Sequence, residues 1–271
     1  GIMDRSIALV GLVALAAAAV SAEAGAEGSF DRTLQVTDRA ELDVRTGSGR
    51  IEVRSGPTGS VRIHGSIRVG RDWFGSTGSA EDEVRRLESN PPIEQDGAVI
   101  RIGRRDRDEW QRRVQISYEI VAPPGSRVRA DTGSGSLIIE GLAGPVDAHT
   151  GSGAITITGP QGEVRATTGS GRVAVTGHKG LLRARTGSGR ITAEGEPAGD
   201  WNLHTGSGSV SLRVPAASSF ELRARTGSGS ISVDHPLTVR GSIGRRAISG
   251  RVGQGGPALD ISTGSGSIKI E

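Results

Sequence analysis

Five arginines stand at fixed offsets from a recurring tetrapeptide, Thr-Gly-Ser-Gly: Arg165, Arg183 and Arg223 lie three residues before its Thr, and Arg185 and Arg225 one residue before it. A guanidinium presents a planar fork of donors that matches the oxygens of carboxylates and phosphates. Arginines repeated at one offset therefore suit a ligand with several negative charges: an envelope polysaccharide, an anionic lipid, or an acidic patch on another envelope protein. The competing reading is a solvated face partly balanced by Glu140, Glu194 and Asp234. Other candidates for chemistry are poorer. Asp147 and His149 are two residues apart and could pair as an acid and an imidazole, but no serine sits in a nucleophile elbow. The five histidines, His64, His149, His178, His204 and His235, lack ligand spacing. His149 and His204 share a repeat position, yet three strand spacings would hold them about 14 Å apart, too far to share a metal. The chain has no cysteine, which excludes a thiolate metal site, a cysteine nucleophile and a disulfide scaffold. No catalytic residue, metal ligand or cofactor is assigned, and the chain is read as a non-enzyme. A carbohydrate-active enzyme on a β-helix scaffold is the alternative, resting on fold analogy, and a cleft lined by paired acids would favour it.

The elements that must carry these residues follow from the repeat. Thr-Gly-Ser-Gly begins at Thr46, Thr132, Thr150, Thr168, Thr186, Thr205, Thr226 and Thr263, at spacings of 86, 18, 18, 18, 19, 21 and 37 residues. A period of this length marks a solenoid, whose coils bury their apolar faces by stacking on one another. Four residues before each Thr stand Leu42, Val128, Val146, Val164, Leu182, Trp201, Leu222 and Leu259, and five after it Ile51, Leu137, Ile155, Val173, Ile191, Val210, Ile231 and Ile268. The positions two before and seven after are also apolar, while the residues between are mostly polar. Each repeat thus holds two strands of period two, one on either side of the tetrapeptide, with its Thr pointing inward. Glycines permit the corner, and a second corner falls at stretches such as Thr158-Gly159-Pro160 and Thr176-Gly177-His178. The expected fold is all-β: a parallel, right-handed β-solenoid of two-strand coils of about 18–21 residues, stacked about 4.8 Å apart.

Composition agrees. Glycine supplies 43 of 271 residues and aromatics only 3%, so the core must be thin and aliphatic. The net charge is +3, and the basic character is carried almost wholly by arginine, so a nucleic-acid partner is not indicated. Residues 1–22 read as a signal peptide: Arg5 precedes an apolar run from Ile7 to Val20, too short to span a bilayer, followed by cleavage-type triplets at Val20-Ser21-Ala22 and Ala22-Glu23-Ala24. Export to the periplasm or the cell exterior is expected, with no transmembrane span in the mature chain. Residues 23–60 hold leading strands and the first coil, and 128–271 the repeats. Between them, residues 61–127 form an insertion: a strand over 61–69, a short helix from Ser79 to Leu87, a hairpin about Asp96-Gly97, a charged loop over 104–109 and a strand over 114–121. Such a block caps the first coils.

This order of a signal segment, a strand ending in Thr-Gly-Ser-Gly, a helix and hairpin insertion, a strand running into Pro123-Pro124-Gly125, and then repeated coils resembles the bacterial "putative adhesin" family of β-strand-repeat proteins. The carboxyl end, from Ile248-Ser249-Gly250 through Gly255-Gly256-Pro257 to Leu259-Asp260-Ile261, is similar too. The resemblance covers residues 30–271. It implies an extracytoplasmic β-solenoid and carries over no catalytic or binding residue. Competing motif readings fail on their chemistry. A calcium β-roll needs an Asp where this repeat has Ile or Val, and a phosphate cradle needs a following Lys and an opening helix. The small residues of the second sheet, Thr156, Thr176, Ser211 and Ser232 among them, make a flat face, but the Thr array of an ice binder is broken by Arg172 and Arg190. The expected function is an exported interaction or structural protein of the cell envelope, binding in the manner of an adhesin through its repeat faces.

Overall fold

The computed structural model describes residues 25–71, 78–103, 113–239 and 243–271; the signal-like segment 1–22 and the loop 104–109 lie outside them. The described residues form two long sheets, of twelve and eleven strands, facing across an aliphatic core. In the middle of the twelve-stranded sheet, Arg127–Thr132, Val146–Thr150, Val164–Ser170, Leu182–Ser188 and Trp201–Ser207 are successive parallel neighbours. The eleven-stranded sheet runs in step through Leu137–Glu140, Ile155–Thr158, Val173–His178, Ile191–Gly195 and Val210–Arg213. The chain passes between the sheets at each Thr-Gly-Ser-Gly, so the expected all-β, two-strand solenoid is the fold observed.

Register follows the repeat. Val146 pairs with Val164, Val164 with Leu182, and Leu182 with Trp201, so the apolar residues stack in unbroken buried columns. The tetrapeptide threonines form another column, and from Thr132 onward each is no more than 6% exposed. A buried hydroxyl needs a partner, and the neighbouring coil supplies it. Thr150 Oγ1 donates to the Gly135 carbonyl at 2.9 Å, Thr168 to Gly153 at 2.9 Å, and Thr186 to Gly171 at 3.0 Å. The final glycine of each tetrapeptide is required by this contact. A Cβ at Gly153 would stand 1.8 Å from the Gly135 carbonyl oxygen, and at Gly171 it would stand 2.1 Å from that of Gly153. Thr therefore ties coil to coil at the point where Gly lets them approach. At the second corners Gly159 and Gly177 adopt φ of 66° and 71°, the left-handed region that favours glycine.

Coil order departs from chain order at both ends. The last coil, Ala258–Ser265 and Ile268–Ile270, lies between the coil of Trp201–Ser207 and that of Phe220–Ser228, parallel to both. Beyond Phe220–Ser228, the strands Ala247–Val252 and Leu237–Val239 close the twelve-stranded sheet with antiparallel pairing. At the other end the first coil, Glu41–Thr46 and Ile51–Ser55, sits between the coil of Arg127–Thr132 and an outer coil made by Val99–Ile102 and Val114–Ala122. Antiparallel strands Ile93–Asp96, Ser60–Val69 and Ala26–Gln35 complete that end. The helix Ala80–Ser89 begins at Ser79, whose side chain accepts from the Asp82 amide while Asp82 accepts from the Ser79 amide. It buries Val84 and Leu87 against Ala26–Gln35 and Ser60–Val69.

Candidate functional site

The alternation of the strands places the arginines. Inward residues Val164, Ala166, Leu182 and Ala184 are buried, so Arg165, Arg183 and Arg185 project outward from the twelve-stranded sheet and are exposed. Arg165 pairs with Arg183 in register, and Thr167 with Arg185. The next coils bring Asn202 and His204, then Asp260 and Ser262, and only then Arg223 and Arg225. Three strand spacings, about 14 Å, thus separate Arg183 from Arg223. The five arginines form a group of three and a distant pair, because the last coil is intercalated between them.

Toward the amino-terminal end the same column alternates in sign: Arg101, Asp43, Arg129, Asp147 and Arg165 are successive cross-strand neighbours. These residues line a shallow depression of about 420 Å³, together with Glu41 and Glu163. Opposite charges on adjacent strands stabilise each other. Asp43 and Asp147 each stand between two arginines on the flanking strands, a ladder of alternating charge and not the setting of a proton donor in an apolar pocket. Arg165 belongs partly to this ladder, since its Nε donates to Glu163 at 2.8 Å. Arg183 and Arg185 have neither a hydrogen-bond nor an ion-pair partner among the described residues.

Asp147 and His149 are exposed neighbours on one strand, with Arg129 and Arg165 beside the acid and Asp131 and Thr167 beside the imidazole. His204 Nδ1 bonds Ser262 Oγ at 2.8 Å, and His64 Nδ1 bonds Asp31 at 2.8 Å on the other sheet. Among the described residues no group of three or more His, Cys, Asp or Glu is placed to hold a metal ion. His178 is different. It has no exposed surface, its Nε2 meets the Leu181 carbonyl at 2.9 Å, and its ring lies 5.8 Å from that of Trp201. Burial pushes its pKa below the usual imidazole value. It is a core histidine, closing the second corner of one coil.

Two residues gain importance that their sequence positions hid. Arg172 and Arg190 directly follow the tetrapeptides of Thr168 and Thr186, and both are exposed. The bond from the Val173 amide to the Arg190 carbonyl, 3.0 Å, sets them on adjacent coils. In the sequence they interrupt a row of small residues; in the fold Arg190 follows the corner that Arg183 and Arg185 precede, and Arg172 follows the corner of the adjacent coil, both on the opposite sheet. The available signal was charge: residues 164–193 contain no Asp or Glu.

Residues 111–271 match the protein-family model described as Toastrack DUF4097. The chain belongs to the Toastrack DUF4097 family. The match begins within the insertion, so the first coil and the helix lie outside it. No curated protein matches the chain in sequence. Similar solved structures include a putative adhesin from Bacteroides fragilis, 11% identical, covering 90% of this chain and 97% of that one with a TM-score of 0.42. A putative cell adhesion protein from Clostridium sporogenes is 13% identical over 90% of this chain and 99% of that one, with a TM-score of 0.39. A putative lipid binding protein from Parabacteroides distasonis is 11% identical over 91% and 98%, with a TM-score of 0.32. Within the described Toastrack residues, and in the rest of the described chain, no helix is long and apolar enough to cross a membrane.

Proposed function

We propose that this protein is exported and works, without catalysing a reaction, as an adhesin-like interaction or structural protein of the cell envelope. Its repeat faces are the working surfaces. Arg165, Arg183 and Arg185 hold an anionic partner, and Arg223 and Arg225 offer a second contact farther along the stack. The observation that carries this reading is the pair Arg183 and Arg185, exposed, in adjacent columns of one sheet and without an ion-pair partner. The Thr-to-Gly bonds between coils hold these side chains at fixed spacing, so weak contacts to a polymer or surface add through multivalency.

The test joins location and binding. Protein recovered from the native cell is located by fractionation and its amino terminus mapped by mass; cleavage near Ala22 or Ala24 and recovery outside the cytoplasm are expected. Retention on isolated envelope fractions is then compared for wild type and Arg183→Ser plus Arg185→Ser. Loss confined to the variant, at a melting temperature no lower than that of wild type and most marked at low salt, supports the reading. Intact residues 1–22 on cytoplasmic protein, or equal retention of both forms, overturns it.

A further inference from the structure

Residues 164–193 carry five arginines and one lysine and no acid. The fold gathers four of those arginines about two consecutive corners. Arg183 and Arg185 project from the twelve-stranded sheet just before the corner at Thr186. Arg172 and Arg190 emerge just after the corners at Thr168 and Thr186, where the chain enters the eleven-stranded sheet. Between Arg185 and Arg190 lie the buried Thr186 and then Gly-Ser-Gly, with Ser170 and Ser188 side by side and exposed. Arg190 Nε donates to Ser209 Oγ at 3.1 Å, a neutral partner that leaves its charge uncompensated. Arg172 and Arg190 are like charges on strands about 4.8 Å apart, and Arg183 stands beside Arg165, whose charge Glu163 partly offsets. Such neighbours repel and disfavour the fold, whereas the Arg–Asp alternation farther along the same sheet stabilises it. An anion seated between them would remove that repulsion.

We propose that these two coils form a site for an acidic polysaccharide, which drapes over the Gly-Ser-Gly corners and is gripped from both sheets by Arg183 and Arg185 on one side and Arg172 and Arg190 on the other. The inference rests on the anion-binding reading above and adds the ligand class and its path. A flexible chain can follow a convex edge onto two opposed faces, and a flat bilayer cannot. Anchoring in lipid also asks for exposed apolar side chains, and the one large apolar residue strongly exposed among the described residues is Ile243, 64% exposed, beside the carboxyl-terminal hairpin and away from these corners. Single-stranded nucleic acid is gripped by stacking on aromatic rings, and residues 164–193 contain no Phe, Tyr or Trp. Glycine and serine leave the corner low enough for sugar rings to approach, with hydroxyls to bond their own.

The test uses polygalacturonate as the carboxylated chain, dextran as a neutral chain, and vesicles of phosphatidylglycerol with phosphatidylcholine. Wild type is expected to bind polygalacturonate alone. Arg172→Ser plus Arg190→Ser and Arg183→Ser plus Arg185→Ser should each weaken binding about tenfold, the loss of two exposed charge contacts. Arg39→Ser plus Arg62→Ser, an equal loss of charge at the amino-terminal end, should leave affinity unchanged. Melting temperatures of the two corner variants should equal or exceed that of wild type, since each relieves repulsion. If only Arg183→Ser plus Arg185→Ser weakens binding, the ligand lies on one face and the draped path is overturned while the anion-binding reading stands. Binding to vesicles and not to polygalacturonate overturns the polysaccharide in favour of lipid. If none of the probes binds and envelope retention is indifferent to all four arginines, both the inference and the reading beneath it fall.

Discussion

The middle coils and the two ends share one turn sequence, yet they assemble by different rules. From Thr150 to Thr205 each coil stacks on the one made just before it. At the carboxyl end the coil of Thr263 lies between those of Thr205 and Thr226, and at the amino end the coil of Thr46 lies inside one built from later residues. The Thr-to-Gly bond of the middle is kept at the carboxyl end: Thr263 donates to Gly208, and Thr226 to Gly266, each at 2.8 Å. A tetrapeptide therefore sets the shape of its coil and its register with a neighbour, but not which neighbour it takes, because every Thr-Gly-Ser-Gly coil offers the same carbonyl. Connection length decides that. Spacings of 18 and 19 residues deliver the chain to the adjacent place, whereas 21 residues carry it from Thr205 past one vacant place, and 37 bring it back from Thr226 to fill that place.

Deletions give the largest expected contrast. Removing residues 151–168 joins Thr150 to Gly169 and takes out one whole coil in register, so the shortened protein should still unfold in one cooperative step, a few degrees lower. Removing residues 258–271 takes away the buried Leu259, Ile261, Ile268 and Ile270 and leaves strand edges facing an empty place. Protection from hydrogen exchange should be lost over residues 201–252, with a broadened thermal transition. A loss of only a few degrees in the second variant would mean that the outer coil slides inward, and that connection length does not fix the order.

A smaller contrast separates the hydroxyls of the two regions. Thr150 is fully buried, so Thr150→Val leaves the Gly135 carbonyl without its donor and should cost about 1–3 kcal/mol. Thr46, half-buried at the amino end, donates instead to the Ile116 carbonyl at 2.7 Å. Water can replace it there, and Thr46→Val should cost less than about 1 kcal/mol. Chemical denaturation of the two variants measures the difference, and equal costs would remove the distinction between middle and end.

The coil itself was legible in the sequence because its cause is local. Alternation about Ile155 or Val173 sets each strand, and Gly-Ser-Gly sets the corner. The capped helix was legible for the same reason, and it extends to Ser89, two residues past the expected Leu87. Coil order was not legible, because pairing between Leu259 and Trp201 is a long-range choice among equivalent edges. That choice also hid the site. Counting along the chain sets Arg223 next after Asn202 in its column, whereas the fold puts Asp260 between them. Arg172 and Arg190 could not be joined to Arg183 and Arg185 by offset alone, since the pairs lie on opposite sides of the turn and meet only where two sheets share an edge.

The smallest expected effect lies where the middle packs two rings inside. His178 packs at the second corner against Trp201, whose Nε1 donates to the Gly180 carbonyl at 2.9 Å. Desolvation is the largest influence on the imidazole and lowers its pKa, and the bond to the Leu181 carbonyl opposes this only in part. The folded chain therefore holds His178 neutral at pH values where the unfolded chain, with an ordinary imidazole pKa near 6.5, takes up a proton. Stability from this residue is complete above that pH and declines as pH falls from there toward the lower folded-state pKa. His178→Gln retains an amide able to donate to the Leu181 carbonyl and has nothing to titrate in this range. Its melting temperature should fall less than that of wild type between pH 7 and pH 5, a difference of a few degrees. The other four histidines, His64, His149, His204 and His235, are present in both proteins. Parallel pH profiles would mean that protonated His178 is accommodated without loss, and that this corner opens to water as freely as the ends do.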